Sequence, residues 1–462
     1  MNNFNKNICI AVMKQYKIKL TAASNFTRLT FDVSRLAFHV SLIIIFLFLN
    51  NIHAQSVDSL VTEAIQNNPQ LISLKYKVQS AEYKSESVSA LPPPTLGIEF
   101  NQIPTDKYNL WNDAISNSLS LSQMFMLGGK LGAMSDVEKK NTQVAGSDYQ
   151  AYKVSLTAQV KMEYYSLWLI DRKIEVQNDN IKLLNDLLNS ITLLYQLNKI
   201  NQADLLTVKS ELASDETQLI ILNSLKEAET YKLNKLLGRD LNSMELYAEK
   251  EIKGDSLSIS LEGLKSMLVQ SNPSLKKMDN MIEMSRAMKT ANEKDLIPDL
   301  MIQGMIMRMP QGMILTTKSD LSMLMPNTGY MYSLMASVTL PFAPWSASKF
   351  KARDEEILSD IKGIEYEEDD MQREMISGLK NALIKYKTSG DLIKLNSGSV
   401  IPLYKQAVEV RVSAYQNNST NINAVIDAGR MLLMQEMNYY IAEADHQMAL
   451  AEIEMMIGTE LK

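Results

Sequence analysis

The sequence repeats itself along its length, and this duplication restricts the fold more than any other feature. The segment LVTEAIQNNPQL around Asn68 recurs 204 residues later as LKSMLVQSNPSL around Asn272. A PxL motif at 94–96 recurs at the same spacing at 298–300. Because several sites match in order, the chain is predicted to contain two copies of one structural unit.

Each copy is predicted to contain a helix, two strands, a long helix, a turn and a final helix. In the first copy Asn68-Pro69 lies early in the first helix, and the prolines at 92–94 end it. Alternating segments at about 96–103 and 115–122 predict the strands. Residues from about 130 to 240 lack proline and predict helix. The second copy has a longer, methionine-rich loop between its strands.

Apolar residues in the long helical stretches recur at alternating spacings of three and four, which is typical of a coiled coil. Helices of roughly 40–65 residues would be ~60–100 Å long, too long for a globular domain. The residues with this spacing are Ile181, Leu184, Leu188, Ile191 and Tyr195 in the first copy, and Met434, Met437, Ile441, Ala444, Met448, Ala451 and Met455 in the second.

The predicted strands alternate between an apolar face and a second face that holds polar side chains and methionines. Tyr330, Tyr332 and Leu334 are on the apolar side of one strand. This alternation is typical of a transmembrane β-barrel, and a soluble sheet packed on a core is the alternative. Four strands cannot enclose a channel, so the membrane interpretation requires an oligomer, and a trimer would supply twelve strands. The methionines of the second face are Met301, Met305, Met307, Met309, Met331 and Met335.

The N-terminus is predicted to be a secretory signal peptide over residues 1–54. Lysines and arginines precede the apolar run at 36–49, and small Ala54 follows it. The only cysteine, Cys9, lies in this segment. The net charge of −6 becomes about −11 once the segment is removed, which disfavours nucleic acid as a partner. The two structural repeats are then residues 55–250 and 251–462.

The exported chain offers few residues for catalysis. His446 is its only histidine, and it has no cysteine, no HExxH motif and no glycine-rich phosphate loop. We therefore expect no enzyme activity and no cofactor.

The duplicated helix–strand–strand–helix order, the NPxL segments and the YxxN turns at 195–198 and 415–418 resemble the TolC-like outer-membrane efflux proteins. This resemblance implies an α+β membrane protein: a homotrimer with a twelve-stranded β-barrel in the outer membrane and a long helical coiled-coil barrel in the periplasm. It implies a passive exit duct of a tripartite efflux system. Its partners would be a periplasmic adaptor, an inner-membrane proton-driven transporter and outer-membrane lipid.

The resemblance also assigns residues at the helix turns. Asn198 and Asn418 replace the usual glycine of the turn, and asparagine tolerates the same left-handed conformation. Asn198, Asp204, Asn418 and Thr420 would contact the adaptor. The family narrows its periplasmic aperture with two acidic residues after the second turn, and Ala424 and Asp427 occupy these positions. Asp427 alone would form an acidic ring in a trimer.

The methionines leave the cargo open. Thioethers are soft ligands that select Cu(I), and by the same softness Ag(I), so the methionine-bearing face indicates heavy-metal efflux. The alternatives are efflux of drugs or other organic solutes, or a type I secretion channel. Methionine is also an ordinary apolar filler of cores. A periplasmic coiled-coil adaptor is a further alternative, although it would lack the duplicated strand pairs.

Overall fold

The computed structural model describes residues 56–106, 108–197, 199–243, 259–310, 314–316, 322–324, 329–417 and 419–461. The predicted signal peptide, Asn198 and Asn418 lie outside these ranges. The described residues from Val57 onward form one compact unit. Its first half contains α1 (Val57–Asn67), α2 (Pro69–Ser87), β1 (Thr95–Asn101), α3 (Leu110–Asp113), β2 (Ser116–Phe125), α4 (Lys130–Gln196) and α5 (Gln202–Leu237). The second contains α6 (Leu261–Ser271), α7 (Pro273–Lys294), β3 (Leu300–Met309), β4 (Ile314–Thr316), β5 (Ser322–Leu324), β6 (Gly329–Val338), α8 (Pro344–Leu395), α9 (Ile401–Gln416) and α10 (Ile422–Ile457).

Each half begins with two helices that meet at the Asn-Pro dipeptide. The Asn68 Oδ1 accepts a hydrogen bond from the Leu71 N–H at 3.0 Å and so caps α2. Pro69 follows in the first turn of α2, where no N–H is needed. Asn272 caps α7 in the same way, through the Ser274 N–H at 2.8 Å. The prediction of one continuous helix was wrong, because an extended asparagine at this point begins a new helix.

The same two asparagines bind the far end of their own repeat. The Asn68 Nδ2 donates to a carbonyl of the last turn of α5 at 2.9 Å, and the Asn272 Nδ2 to one of α10 at 2.8 Å. Gly238 and Gly458 end these helices with φ of +71° and +80°. The repeated NPxL segment therefore joins the beginning of each repeat to its end.

The long helices form two antiparallel hairpins. In the first, α4 has 67 residues and is ~100 Å long, and α5 packs along it. In the second, α8 has 52 residues and continues through a π-helical turn, Asn396–Val400, into α9. Pro402 follows this turn and has no N–H to continue an α-helical pattern. In the described ranges, no helix is long and apolar enough to cross a membrane.

The buried face of α10 coincides only in part with its predicted coiled-coil residues. Ala444 and Ala451 are buried, but Met434 is half exposed. Leu450 and Ile453 belong to the core formed with α6, α7 and α8. The difference arises because α10 packs against both α8 and α4, so its buried surface is wider than a two-helix seam.

The four main strands form one antiparallel sheet in the order β1-β2-β3-β6. The two halves of the chain meet in its middle, where β2 pairs with β3. A buried ion pair joins the sheet to the long helices: Lys130, at the start of α4, contacts Asp299, just before β3, at 2.8 Å. The small β4–β5 hairpin lies between β3 and β6 in the chain.

Candidate functional site

The strand register brings the predicted methionines together on one face of the sheet, which we call the methionine face. Met307 lies directly opposite Met331, and Met301 lies opposite Met124. Serines continue this face on β2, since Ser118 and Ser120 pair with Met307 and Met305. In the described part of the chain, no group of three or more His, Cys, Asp or Glu side chains could hold a metal ion.

The opposite, apolar face is strongly exposed. Leu334 is 80% exposed, whereas Met331 on the methionine face of the same strand is 36% exposed. Tyr330, paired with Arg308, and exposed Trp111 lie near one end of the strands. The exposed apolar residues of this face are Leu96, Ile98, Leu119, Leu121, Ile302, Ile306, Tyr330, Tyr332, Leu334 and Val338.

The turns of the two hairpins pack on each other at one end of the molecule, which we call the tip. Its core consists of Ile191, Val208, Tyr415, Ile422, Val425 and Ile426. Asn201 Oδ1 accepts from the Asp204 N–H at 2.9 Å, and Asn421 Oδ1 accepts from the Ala424 N–H at 3.0 Å. These two asparagines begin α5 and α10. The backbone of each turn is therefore fixed by an equivalent side-chain cap.

The predicted aperture residues lie in the first turns of α10. Ala424 is half-buried and Thr420 lies in the turn before the helix. The Asp427 carboxylate is 64% exposed, and its Oδ1 lies 3.7 Å from Nη1 of Arg430. Its negative charge is thus exposed but has a cation one helical turn away.

An ion pair that the sequence analysis missed joins the hairpins just beyond the tip. The Arg430 guanidinium on α10 makes a bidentate contact with the Glu211 carboxylate on α5, with Nε to Oε1 at 2.6 Å. The Glu211 side chain is only 9% exposed. Charged residues are common on both helices, so only the fold shows which of them meet.

Two buried titratable side chains, Asp215 and Tyr415, lie in the same part of the hairpin interface. Burial raises the pKa of Asp215, although hydrogen bonds from Gln177 and Asn180 act in the opposite direction. Burial, and then the nearby Asp204 carboxylate, raise the pKa of the Tyr415 hydroxyl. Both pKa values are raised mainly because these side chains are buried in the hairpin interface.

The geometry defines a class of protein: long helical hairpins joined to an antiparallel sheet with one exposed apolar face. Solved structures of outer-membrane channels have this fold. The chain covers 87% of its length in matches to the outer-membrane channel OprN (16% identity, 89% of that chain, TM-score 0.70) and to CusC (17%, 92%, 0.71). It matches the CmeC outer membrane channel of Campylobacter jejuni at 14% identity over 87% of this chain and 85% of that one, with a TM-score of 0.70.

Residues 60–239 match the family described as outer membrane efflux protein. No curated protein matches the sequence. Over residues 60–239 the sequence is similar to the predicted family, and the fold shared with the solved channels confirms the predicted combination of long helices with a four-stranded sheet.

Proposed function

We propose that the chain is one subunit of a homotrimeric outer-membrane channel, through which substrates leave the cell passively and without catalysis. One observation supports this most strongly. Within the described strands, the sheet ends at β1 and β6, and its apolar face is exposed. Unpaired strand edges are very unfavourable in lipid, because no water satisfies their backbone groups. The sheet therefore requires neighbouring chains.

Three copies would close the sheet without disturbing its order. Neighbouring strands are antiparallel throughout, so β1 and β6 run in opposite directions. β6 of one chain beside β1 of the next would continue the antiparallel pairing. Three chains would give twelve strands, and the long hairpins would continue from this closed sheet as the wall of a periplasmic tunnel.

The proposed partners are those that the resemblance to the family implies. We propose that the turns containing Asn198, Asp204, Asn418 and Thr420 contact a periplasmic adaptor protein. An inner-membrane proton-driven transporter would supply the substrate and the energy. Outer-membrane lipid would surround the apolar face, and no nucleic acid takes part.

The apolar face gives the first test. A Leu334→Arg variant is expected to lose ~2–4 kcal/mol of the free energy of unfolding of the membrane-inserted protein, because a cation near the middle of the lipid-facing surface is poorly solvated. The measurement is the amount of cross-linked trimer in outer-membrane fractions, together with its unfolding in urea. Leu334 has no buried contacts to lose, since it is 80% exposed.

The neighbouring Ser333→Arg variant is the matched control. Ser333 is also exposed but lies on the methionine face, where water would solvate the arginine. We expect it to assemble like the wild type. Equal effects of both variants would contradict a lipid-facing apolar surface. Release of the wild type as a soluble periplasmic protein would instead support the adaptor alternative.

The tip gives a second test. We propose that Asp427 from three chains forms the acidic ring of the aperture. The Arg430 guanidinium, 3.7 Å from each carboxylate, partly offsets the negative charge of the ring. Asp427→Asn is expected to lower the K⁺-over-Cl⁻ permeability ratio by about twofold or more, because the ring concentrates cations. The ratio is measured from reversal potentials of purified trimers in planar bilayers. Asp370→Asn, which removes an exposed charge from α8, should leave it unchanged; equal shifts in both variants would exclude the ring.

The finer proposal concerns the cargo. We propose Cu(I), Ag(I) or another heavy-metal ion, and the methionine face supports this choice. Export of drugs or other organic solutes, or of a polypeptide by type I secretion, is the alternative. Metal export and drug export can be compared by the growth of expressing cells in silver salts and in hydrophobic drugs.

A further inference from the structure

The register of the sheet arranges thioethers at every level of the methionine face, from one end of β3 to the other. Successive residues on one face of a strand are about 7 Å apart along it. From Met309 to Met301 this gives five levels, which together span about 27 Å. The levels contain, in order, Met309; Met307 with Met331; Met305; Met335; and Met301 with Met124.

The densest part lies around Met307. Directly opposed residues have Cβ atoms about 4.5–5.5 Å apart, and diagonal neighbours lie at about 7–8 Å. Met331 is opposite Met307, and Met305 is the next residue on the same face of β3, diagonal to Met331. Methionine has three rotatable side-chain bonds, so the three sulfur atoms can converge. For comparison, two cysteine sulfurs bound to one Zn²⁺ at about 2.3 Å each lie at most about 4.6 Å apart.

Packing does not explain these methionines. None of these strand methionines is among the buried core residues of the described part of the chain. Polar side chains lie opposite two of the methionines, since Ser333 pairs with Met305 and Gln303 pairs with Met335. A face that lines a water-filled channel needs polar side chains, not adaptable apolar ones. Met305 and Met307 are half-buried and Met331 is 36% exposed, so each side chain is partly open to solvent.

We infer that Met305, Met307 and Met331 form a binding site for a soft monovalent cation, Cu(I) or Ag(I), and that the other methionine levels extend it into a ladder of exchangeable sites. Neutral thioethers bind such ions in preference to Zn²⁺ or Mg²⁺, which favour harder or charged ligands. Several weak sites in a row suit passage, because each ion can enter and leave again. This inference rests on the proposed channel function and specifies the cargo.

The experiment uses Ag(I), because it is soft and redox-stable, and the full-length trimer purified in detergent. Isothermal titration of the wild type is compared with the M305L/M307L/M331L variant, in which leucine conserves the side-chain volume. The M431L/M434L variant is the control, because these two methionines on α10 are 50% and 51% exposed and lie outside the sheet. Conductance of each protein for K⁺ in planar bilayers is recorded on the same preparations.

We expect the affinity of the triple variant for Ag(I) to fall by about tenfold or more. Even the loss of contacts that support a metal ligand lowers metal affinity by about this factor. Excess Zn²⁺ should not displace Ag(I), and the control should bind like the wild type. Equal affinity of the wild type and the triple variant, or an equal loss in the control, overturns the inference. K⁺ conductance tests the channel function separately, so a conducting trimer without sheet-dependent Ag(I) binding refutes only the thioether site.

Discussion

A Gly238→Ala variant is expected to lose about 3 kcal/mol or more of its free energy of unfolding. Alanine is strained in the left-handed backbone conformation at this position, and its side chain would disrupt the hydrogen bonds of Asn68. Gly238 has a φ of +71°, and a Cβ there would lie 2.3 Å from the carbonyl oxygen of Asn67. Such an overlap with backbone cannot be relieved by a side-chain rotation. It would displace the junction of α1 and α2, where Asn68 is held by the last turn of α5.

The duplication provides a second copy of this test. A Cβ on Gly458 would lie 2.8 Å from the Pro273 Cδ and 2.9 Å from the Asn272 Cα. Gly458→Ala should therefore be destabilising in the same way. Both effects are measured as the urea midpoint of the helical circular-dichroism signal and as the amount of trimer in membranes.

Gly146→Ala is the matched control for both variants. Gly146 lies inside α4, and apart from the helix's own backbone no atom lies within 4 Å of the position of a Cβ there. Alanine favours the helix by up to about 1 kcal/mol, so this change should be neutral or stabilising. If Gly238→Ala were as stable as Gly146→Ala, the two ends of the repeat would not be in the close contact described.

The sequence predicted those parts of the structure that depend on periodicity. The 204-residue repeat places Asn68 and Asn272 at equivalent caps, and period-two alternation assigned Met307 and Met331 to one face before their pairing was known. These features are local, because each follows from the spacing of residues along one element.

Long-range partners could not be predicted in this way. Arg430 meets Glu211 across 219 positions of sequence, and any of several charges on α5 would have satisfied the pattern equally well. The caps Asn201 and Asn421 had a detectable signal, since asparagine directly before an amphipathic helix is a common N-cap. The resemblance to the family instead indicates Asn198 and Asn418 at these turns, and both lie outside the described residues.

An Asp299→Ala variant is expected to destabilise the protein by about 3–5 kcal/mol, because it leaves a buried ammonium group without its counter-charge. The Lys130 side chain is only 6% exposed, and its Nζ lies 2.8 Å from the Asp299 Oδ1. This contact holds the start of α4 against the residue that precedes β3. Loss of this ion pair should therefore destabilise the packing of α4 against the sheet. The effect is measured as a lower urea midpoint of unfolding and as faster proteolysis near residue 130.

Two variants separate the buried charge from other effects of the substitution. Asp369→Ala breaks an ion pair with Arg373 of similar length, 2.8 Å, but both of its side chains are more than half exposed. It should cost about 0.5 kcal/mol or less. The K130M/D299L double variant removes both charges and should recover most of the stability lost in Asp299→Ala, since apolar side chains can replace a buried ion pair. If the double variant were as unstable as the single one, the unpaired Lys130 charge would not be the cause of the loss.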